Sequence, residues 1–86
     1  MEVRILETAE KELEKIANPL NKRFGKHIEK ITSKETSRHL KHGLPYFTEN
    51  VTKQARIIYC VENETVYVLH CFATHKEYER WFKSFK

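Results

Sequence analysis

The feature that most constrains the fold is a pair of apolar stretches separated by a short polar break. The first is "ARIIYCVE" over residues 55–62, and the second is "TVYVLHCF" over residues 65–72. Both are rich in β-branched and aromatic residues, which favour strands. The polar "NE" or "ENET" between them supplies the reversal. The sequence therefore predicts an antiparallel β-hairpin near the C-terminus.

The predicted hairpin also assigns side chains to faces. If it closes at the polar break, Arg56 lies opposite Cys71 and Ile57 lies opposite His70. Because side chains alternate along a strand, Arg56 and Cys71 then share a face, with His75 if the strand continues. The other face is the more uniformly apolar and carries Ile57, Tyr59, Val61, Val66, Val68, His70 and Phe72. We expect that apolar face to lie against helices, with His70 near the core.

Two helices are predicted before the hairpin. Residues 3–6 form a short apolar strand, and residues 7–15 then change to helical spacing, with Thr8 as the expected N-cap. An apolar stripe with spacings of four, four and three marks the second helix and consists of Leu20, Phe24, Ile28 and Ile31. Residues 75–86 have the pattern of a terminal helix.

The element order is thus β, α, α, β, β, β, α, which predicts the α+β class. We expect one domain over residues 1–86: an N-terminal strand and an antiparallel helical hairpin packed on a small antiparallel β-sheet, with a short C-terminal helix. The two cysteines and the lack of a signal peptide favour a reducing, cytoplasmic location. No apolar run reaches the roughly 18 to 20 residues that a membrane span needs.

Charge is concentrated in residues 21–42, which hold seven Lys or Arg residues against two Glu. Such local asymmetry favours a polyanion or an acidic protein as partner. A solvated helix face without a partner explains the same pattern.

Arg56 and His75 suit phosphodiester chemistry, because a guanidinium holds phosphate and an imidazole moves protons near neutral pH. A salt bridge of this pair with Glu77 or Glu49 is the plain alternative. Metal binding is not expected: CxxC and HExxH motifs are absent, and adjacent strand residues such as His70 and Cys71 point to opposite faces. We expect no cofactor.

Other catalytic classes are excluded by composition. The chain has no aspartate, so a Ser/His/Asp triad cannot form, and mid-strand Cys60 and Cys71 are expected to be buried and inert. Gly-rich phosphate loops are also absent, which argues against nucleotide binding of the P-loop or Rossmann kind.

The element order, together with "LKHGLPYF", "ARIIYCVENETVYVLHCF" and "THKEY", resembles the RelE/ParE superfamily of toxins from type II toxin-antitoxin systems. The resemblance extends over nearly the whole chain. For the RNase branch, which includes RelE, YoeB, YafQ and HigB, it implies a metal-independent endoribonuclease that cleaves mRNA in the 30S A site of the ribosome and so inhibits translation. A cognate antitoxin protein is the implied partner.

The resemblance also implies site residues. Arg56 matches the family arginine that holds phosphate, and His75 matches the family histidine in the segment after the hairpin. Lys76 and Tyr78 are near the positions at which the family has a second cation and a base-stacking aromatic. The concentration of positive charge adds the expected RNA-contacting residues, which are Lys22, Arg23, Lys26, Lys30, Arg38, Lys41 and His42. The strand "FTENV" lacks the lysines of RelE itself, so the histidine-using members are the closer model, with His42 or His39 as a candidate second participant.

A different function stays open on the same fold. A ParE-like gyrase inhibitor, or another toxin-fold binder, needs no proton-transfer groups, so the pairing of Arg56 with His75 favours the nuclease. Trp81 and Phe82, in the terminal "WFKSF", are expected to help to dock the antitoxin. The alternative is that these rings pack on the sheet.

Overall fold

The computed structural model describes residues 2–33 and 46–85. Its elements are β1 (Glu2–Ile5), α1 (Glu7–Glu14), α2 (Leu20–Ser33), β2 (Phe47–Asn50), β3 (Arg56–Glu62), β4 (Thr65–Phe72) and α3 (His75–Phe85). This order confirms the predicted α+β architecture. Arg38, His39, Lys41 and His42 lie outside the described residues. Within the described part of the chain, no helix is both long and apolar enough to cross a membrane.

The four strands form one sheet in the order β1-β4-β3-β2. β3 runs antiparallel to both of its neighbours, whereas β1 runs parallel to β4. The sheet is therefore mixed rather than wholly antiparallel as predicted. A parallel pair needs a long connection, and the chain between β1 and β4 includes both helices and two strands.

The hairpin of β3 and β4 contains an irregularity that the sequence pattern does not show. Beside the turn the register is the predicted one, with Tyr59 opposite Val68, but it shifts by one residue between Ile58 and Tyr59. Leu69 is the extra residue of a β-bulge in β4. Beyond it, Arg56 lies opposite Phe72 instead of Cys71.

The bulge changes which residues face the helices. Cys71, predicted to share a face with Arg56, lies in the core under α1 and α2. His70 and Phe72, predicted to face those helices, lie on the opposite side, where their rings stack with centroids 5.0 Å apart. His70 is also 5.2 Å from the Trp81 ring and approaches Glu12, with 3.3 Å between His70 Nδ1 and Glu12 Oε2.

The helices α1 and α2 cover one side of the sheet. We call this side the hairpin-covered face, after the helical hairpin of α1 and α2 and not the β-hairpin. Its buried residues are Ala9, Phe24, Ile28, Ile31, Val51, Ala55, Ile57, Tyr59, Val66, Val68 and Cys71. They include Phe24, Ile28 and Ile31 from the predicted stripe of α2, which is confirmed. The other side, the α3 face, buries Tyr46, Ile58 and Phe72 beneath partly buried Leu69, Tyr78, Trp81 and Phe82.

The ends of two elements are locally determined. α1 begins at Glu7 with Leu6 at the N-cap and no side-chain cap, so the predicted Thr8 cap is wrong. Glu7 and Glu10 lie in the first turn, where negative charge favours the helix dipole. At the hairpin turn, Asn63 and Glu64 have φ values of 50° and 62°, the left-handed pair of a tight reversal.

Candidate functional site

The candidate site lies on the α3 face, where β3 begins and α3 begins. Arg56 is the first residue of β3, and its Nη2 lies 3.0 Å from His75 Nδ1. Its Nη1 donates to Oδ1 of Asn50, the residue paired with it on β2. The guanidinium carbon also lies 5.1 Å from the centroid of the Tyr78 ring, a cation–π distance. The structure thus brings together Arg56, His75 and Tyr78 of the four predicted catalytic residues.

The hydrogen-bond partners of His75 define its tautomer. A guanidinium can only donate, so Nδ1 must accept from Arg56 with its lone pair. The other ring nitrogen, Nε2, lies 2.6 Å from Oε1 of Glu79 and therefore carries the proton and donates it. This assignment follows from the network of partners. In this arrangement the His75 ring lies between a cation and a carboxylate.

Thr74 determines where α3 starts and hence where His75 lies. The Thr74 hydroxyl accepts a hydrogen bond from the Glu77 backbone N–H at 3.2 Å and donates one to the Glu77 carboxylate at 3.2 Å. This T-x-x-E arrangement is a helix N-cap. His75 is consequently the first helical residue, with Arg56 at one end of its ring and Glu79 one helical turn away.

The loop between β2 and β3 supplies a second anchor. Its backbone closes tightly, with the Val51 N–H donating to the Ala55 carbonyl at 2.9 Å. The Thr52 hydroxyl accepts from the N–H groups of Gln54 and Ala55. Gln54 Oε1 in turn accepts from the His75 N–H at 3.4 Å. The loop therefore ties the start of β3 to the start of α3.

The site is open to solvent. The side chains of His75 and Glu79 are 40% and 50% exposed.

Tyr46 lies beneath the aromatic side chains of α3, with its ring edge-on to that of Trp81 and the two centroids 5.0 Å apart. Burial raises the pKa of the Tyr46 hydroxyl, and the neighbouring Tyr78 adds to the effect. The Tyr46 side chain is therefore uncharged, and its buried ring packs beneath Tyr78 and Trp81.

Lys76, the remaining predicted catalytic residue, is exposed on the first turn of α3. Within residues 2–33 and 46–85, no hydrogen bond or ion pair joins it to the other site residues. The two acids named in the alternative interpretation, Glu77 and Glu49, bond to other residues. Glu77 bonds to Thr74, and buried Glu49 lies on the hairpin-covered face against His27, with 2.9 Å between Glu49 Oε2 and His27 Nδ1.

Sequence reasoning missed three residues of the site, namely Asn50, Gln54 and Glu79. The spacing of four between His75 and Glu79 on a predicted helix was a usable signal. The positions of Asn50 and Gln54 depend on the register of β2 against β3, which no local pattern reveals.

The two cysteines occupy opposite faces. Cys71 is buried under α1 and α2, and burial, with a smaller contribution from Glu12, raises the pKa of its thiol to about 12. Cys60 is partly exposed, and burial and then Glu62 raise its thiol pKa. Among the described side chains, no three His, Cys or Glu residues converge as a metal would require.

The basic residues of α2 lie apart from Arg56 and His75. Lys22, Arg23, Lys26 and Lys30 are exposed, and α2 packs on the hairpin-covered face. The two groups approach each other at β2, where Lys30 Nζ is 3.9 Å from Glu49 Oε2 and the next residue, Asn50, bonds Arg56. The structure therefore shows two separate surfaces, one basic and one containing the Arg56–His75 pair.

Trp81 and Phe82 are half-buried against the α3 face of the sheet. Trp81 contacts the Tyr46, His70 and Phe72 rings with centroids 5.0, 5.2 and 5.8 Å away. These rings thus pack substantially on the sheet, and their role in docking a partner stays a prediction.

No protein-family model and no curated protein sequence matches this chain. Among solved structures, a chain of the YoeB–YefM complex from Staphylococcus aureus has a similar fold, with a TM-score of 0.65 at 12% sequence identity. The match covers 83% of this chain and 93% of that chain. At this identity the likeness establishes the fold and leaves the chemistry open. The chain therefore shares the fold of a chain of that complex, and this fold has the α+β architecture that the sequence predicts.

Proposed function

We propose that this protein is the toxin of a toxin-antitoxin pair and acts as a ribosome-dependent, metal-independent mRNA endoribonuclease. The observation that carries the proposal is the contact between Arg56 and a solvent-accessible His75, with 3.0 Å between Arg56 Nη2 and His75 Nδ1. A phosphate-binding cation beside a proton acceptor is the minimum that cleavage of RNA by its own 2′-hydroxyl requires.

In the proposed reaction, phosphate binding draws the Arg56 guanidinium onto the phosphate oxygens and releases the lone pair of His75 Nδ1. Nδ1 then accepts the proton of the ribose 2′-hydroxyl as that oxygen bonds to the adjacent phosphorus. The bond from phosphorus to the 5′-oxygen breaks, the leaving oxygen takes up a proton from solvent water, and His75 later releases its proton to solvent. The products are a 2′,3′-cyclic phosphate and a 5′-hydroxyl, and Arg56 stabilises the charge that develops on phosphorus.

The surrounding residues have supporting roles in this proposal. The Tyr78 ring is held beneath Arg56 and can stack on a base. Exposed Lys76 offers a second cation for the RNA backbone. The exposed lysines and Arg23 of α2, on the other side of the sheet, suit ribosomal RNA at the 30S A site or an acidic segment of the antitoxin. Action on the ribosome implies a cytoplasmic location.

The proposal of an antitoxin partner is supported by the fold shared with a chain of a complex named for YoeB and YefM. A small acidic protein would match the basic α2 surface, and its apolar residues could cover the partly exposed rings near Trp81.

The test is in vitro translation followed by primer extension on the message, with a gyrase supercoiling assay in parallel. We expect message cleavage by the wild-type chain and a loss of about 10²- to 10⁴-fold in Arg56→Ala and His75→Ala, with thermal unfolding little changed. Arg80→Ala, which removes an exposed cation from the same helix, is the matched control and should keep its activity. Inhibited supercoiling without cleavage would instead support a gyrase inhibitor, and full cleavage by both folded variants would overturn the site.

A further inference from the structure

We propose that Glu79 is a positioning residue for His75, holding the imidazole as the Nε2–H tautomer so that Nδ1 faces Arg56 as the proton acceptor. This inference rests on the proposed nuclease function. It adds a carboxylate to the site and assigns the reacting nitrogen.

The first argument is geometric. Glu79 Oε1 lies 2.6 Å from His75 Nε2, a short distance for a hydrogen bond to an ionised acceptor. The two residues are four apart on α3, so the helix itself keeps them adjacent. The neighbouring acid, Glu77, bonds to Thr74 at the helix cap and is engaged elsewhere. Glu79 is thus the carboxylate that this helix directs at the histidine.

The second argument is electrostatic. Arg56 faces the other ring nitrogen and, as an obligate donor, favours an unprotonated Nδ1. When Nδ1 accepts a proton, the resulting imidazolium is still close to the Arg56 cation on the phosphate, and this like charge opposes the protonation. A carboxylate at Nε2 offsets that repulsion, as the aspartate of a Ser-His-Asp triad does for its histidine.

Several groups surround His75 within residues 2–33 and 46–85, the part of the chain that the structure describes. Arg56 reaches it from β3 and Glu79 from α3, while the Tyr78 ring lies 6.1 Å away and Gln54 contacts only its backbone N–H. Lys76, Glu77 and Arg80 are nearby exposed charges of α3. Of these groups, only Arg56 and Glu79 bond to the ring, so the pair determines which nitrogen carries the proton.

The variants separate orientation from charge. Glu79→Ala removes the acceptor, whereas Glu79→Gln retains a side-chain oxygen that can accept from Nε2–H but lacks the negative charge. Glu77→Gln is the matched control, because it removes a charge from the same turn of α3 and still offers an oxygen to Thr74.

Two readouts are measured on the full chain. The first is the pair of ¹⁵N chemical shifts of the His75 ring in the free protein, which reports the tautomer without RNA. We expect the Nε2–H form in the wild type, Glu79→Gln and Glu77→Gln, and a mixture in Glu79→Ala. The second is single-turnover cleavage of message on ribosomes, where Glu79→Ala should fall by about 10- to 100-fold, Glu79→Gln by less, and Glu77→Gln not at all.

The outcomes distinguish the two proposals. A tautomer change in Glu79→Ala together with slower cleavage supports the positioning role. If the tautomer changes but the wild type cleaves no message, the proposed nuclease fails while the tautomer assignment stands. An unchanged tautomer in Glu79→Ala, or unchanged cleavage in that variant beside an active wild type, overturns the proposal for Glu79.

Discussion

The two faces of the sheet are built from different residues for different purposes. The hairpin-covered face is largely aliphatic and closed, and Phe24, Ile57, Val66 and Val68 on it are fully buried. The α3 face is aromatic and only partly covered. Tyr78, Trp81 and Phe82 are half-buried on it, and the Tyr78 ring lies beside the Arg56–His75 contact. A small domain depends on one well-packed core for its stability, and here that core is on the hairpin-covered face. The charged site lies on the α3 face, which is less completely covered.

The largest expected contrast is between one phenylalanine on each face. Phe24→Ala should lower the free energy of unfolding by about 3 to 5 kcal/mol, because the side chain is 0% exposed. Phe82→Ala should cost less, about 1 to 2 kcal/mol, because less apolar area leaves water on folding. Urea denaturation measures both. Equal losses would contradict the view that the hairpin-covered face supplies most of the stability.

The cysteines give a chemical version of the same contrast. Cys71 has a thiol pKa raised to about 12, so its thiolate fraction at pH 8 is only about 10⁻⁴. We expect iodoacetamide to modify partly exposed Cys60 at least about 100-fold faster in the folded protein, as followed by mass spectrometry of the two peptides. In urea the two rates should converge. Equal rates without denaturant would mean that the hairpin-covered face opens readily.

The smallest of these effects concerns Glu12, which connects the two faces at the edge of β4. Its Oε1 accepts from the Cys71 N–H at 2.9 Å, while Oε2 lies 3.3 Å from His70 Nδ1. Glu12→Ala leaves the Cys71 N–H without this acceptor and should cost about 1 to 3 kcal/mol in urea denaturation. Exposed Glu14 on the same helix is the control, since Glu14→Ala should be nearly neutral. If Glu12→Ala left the free energy of unfolding unchanged, the contacts of Glu12 with Cys71 and His70 would not contribute to stability.

The order of elements and the apolar stripe of α2 could be predicted because both depend on residues close in sequence. The faces on which His70 and Cys71 lie could not be predicted, because a bulge depends on the pairing of two strands and produces no recognisable pattern in the sequence of either one. The site divides in the same way. Arg56 and His75 could be predicted from their residue types, and Glu79 could have been predicted from its spacing of four from His75 on a helix. Asn50 could not, because its place in the site depends on the pairing of β2 with β3.

The extra residue at Leu69 bears on how this chain is aligned with relatives. Up to Val68 the two strands follow one pairing frame, and from His70 onward they follow another. A gap-free alignment with a relative whose hairpin lacks the bulge would equate His70 with a position on the opposite side of the sheet. Residue correspondences toward Phe72 and α3 therefore require a one-position gap at this point, and a deletion there would exchange core positions for surface ones in a single step.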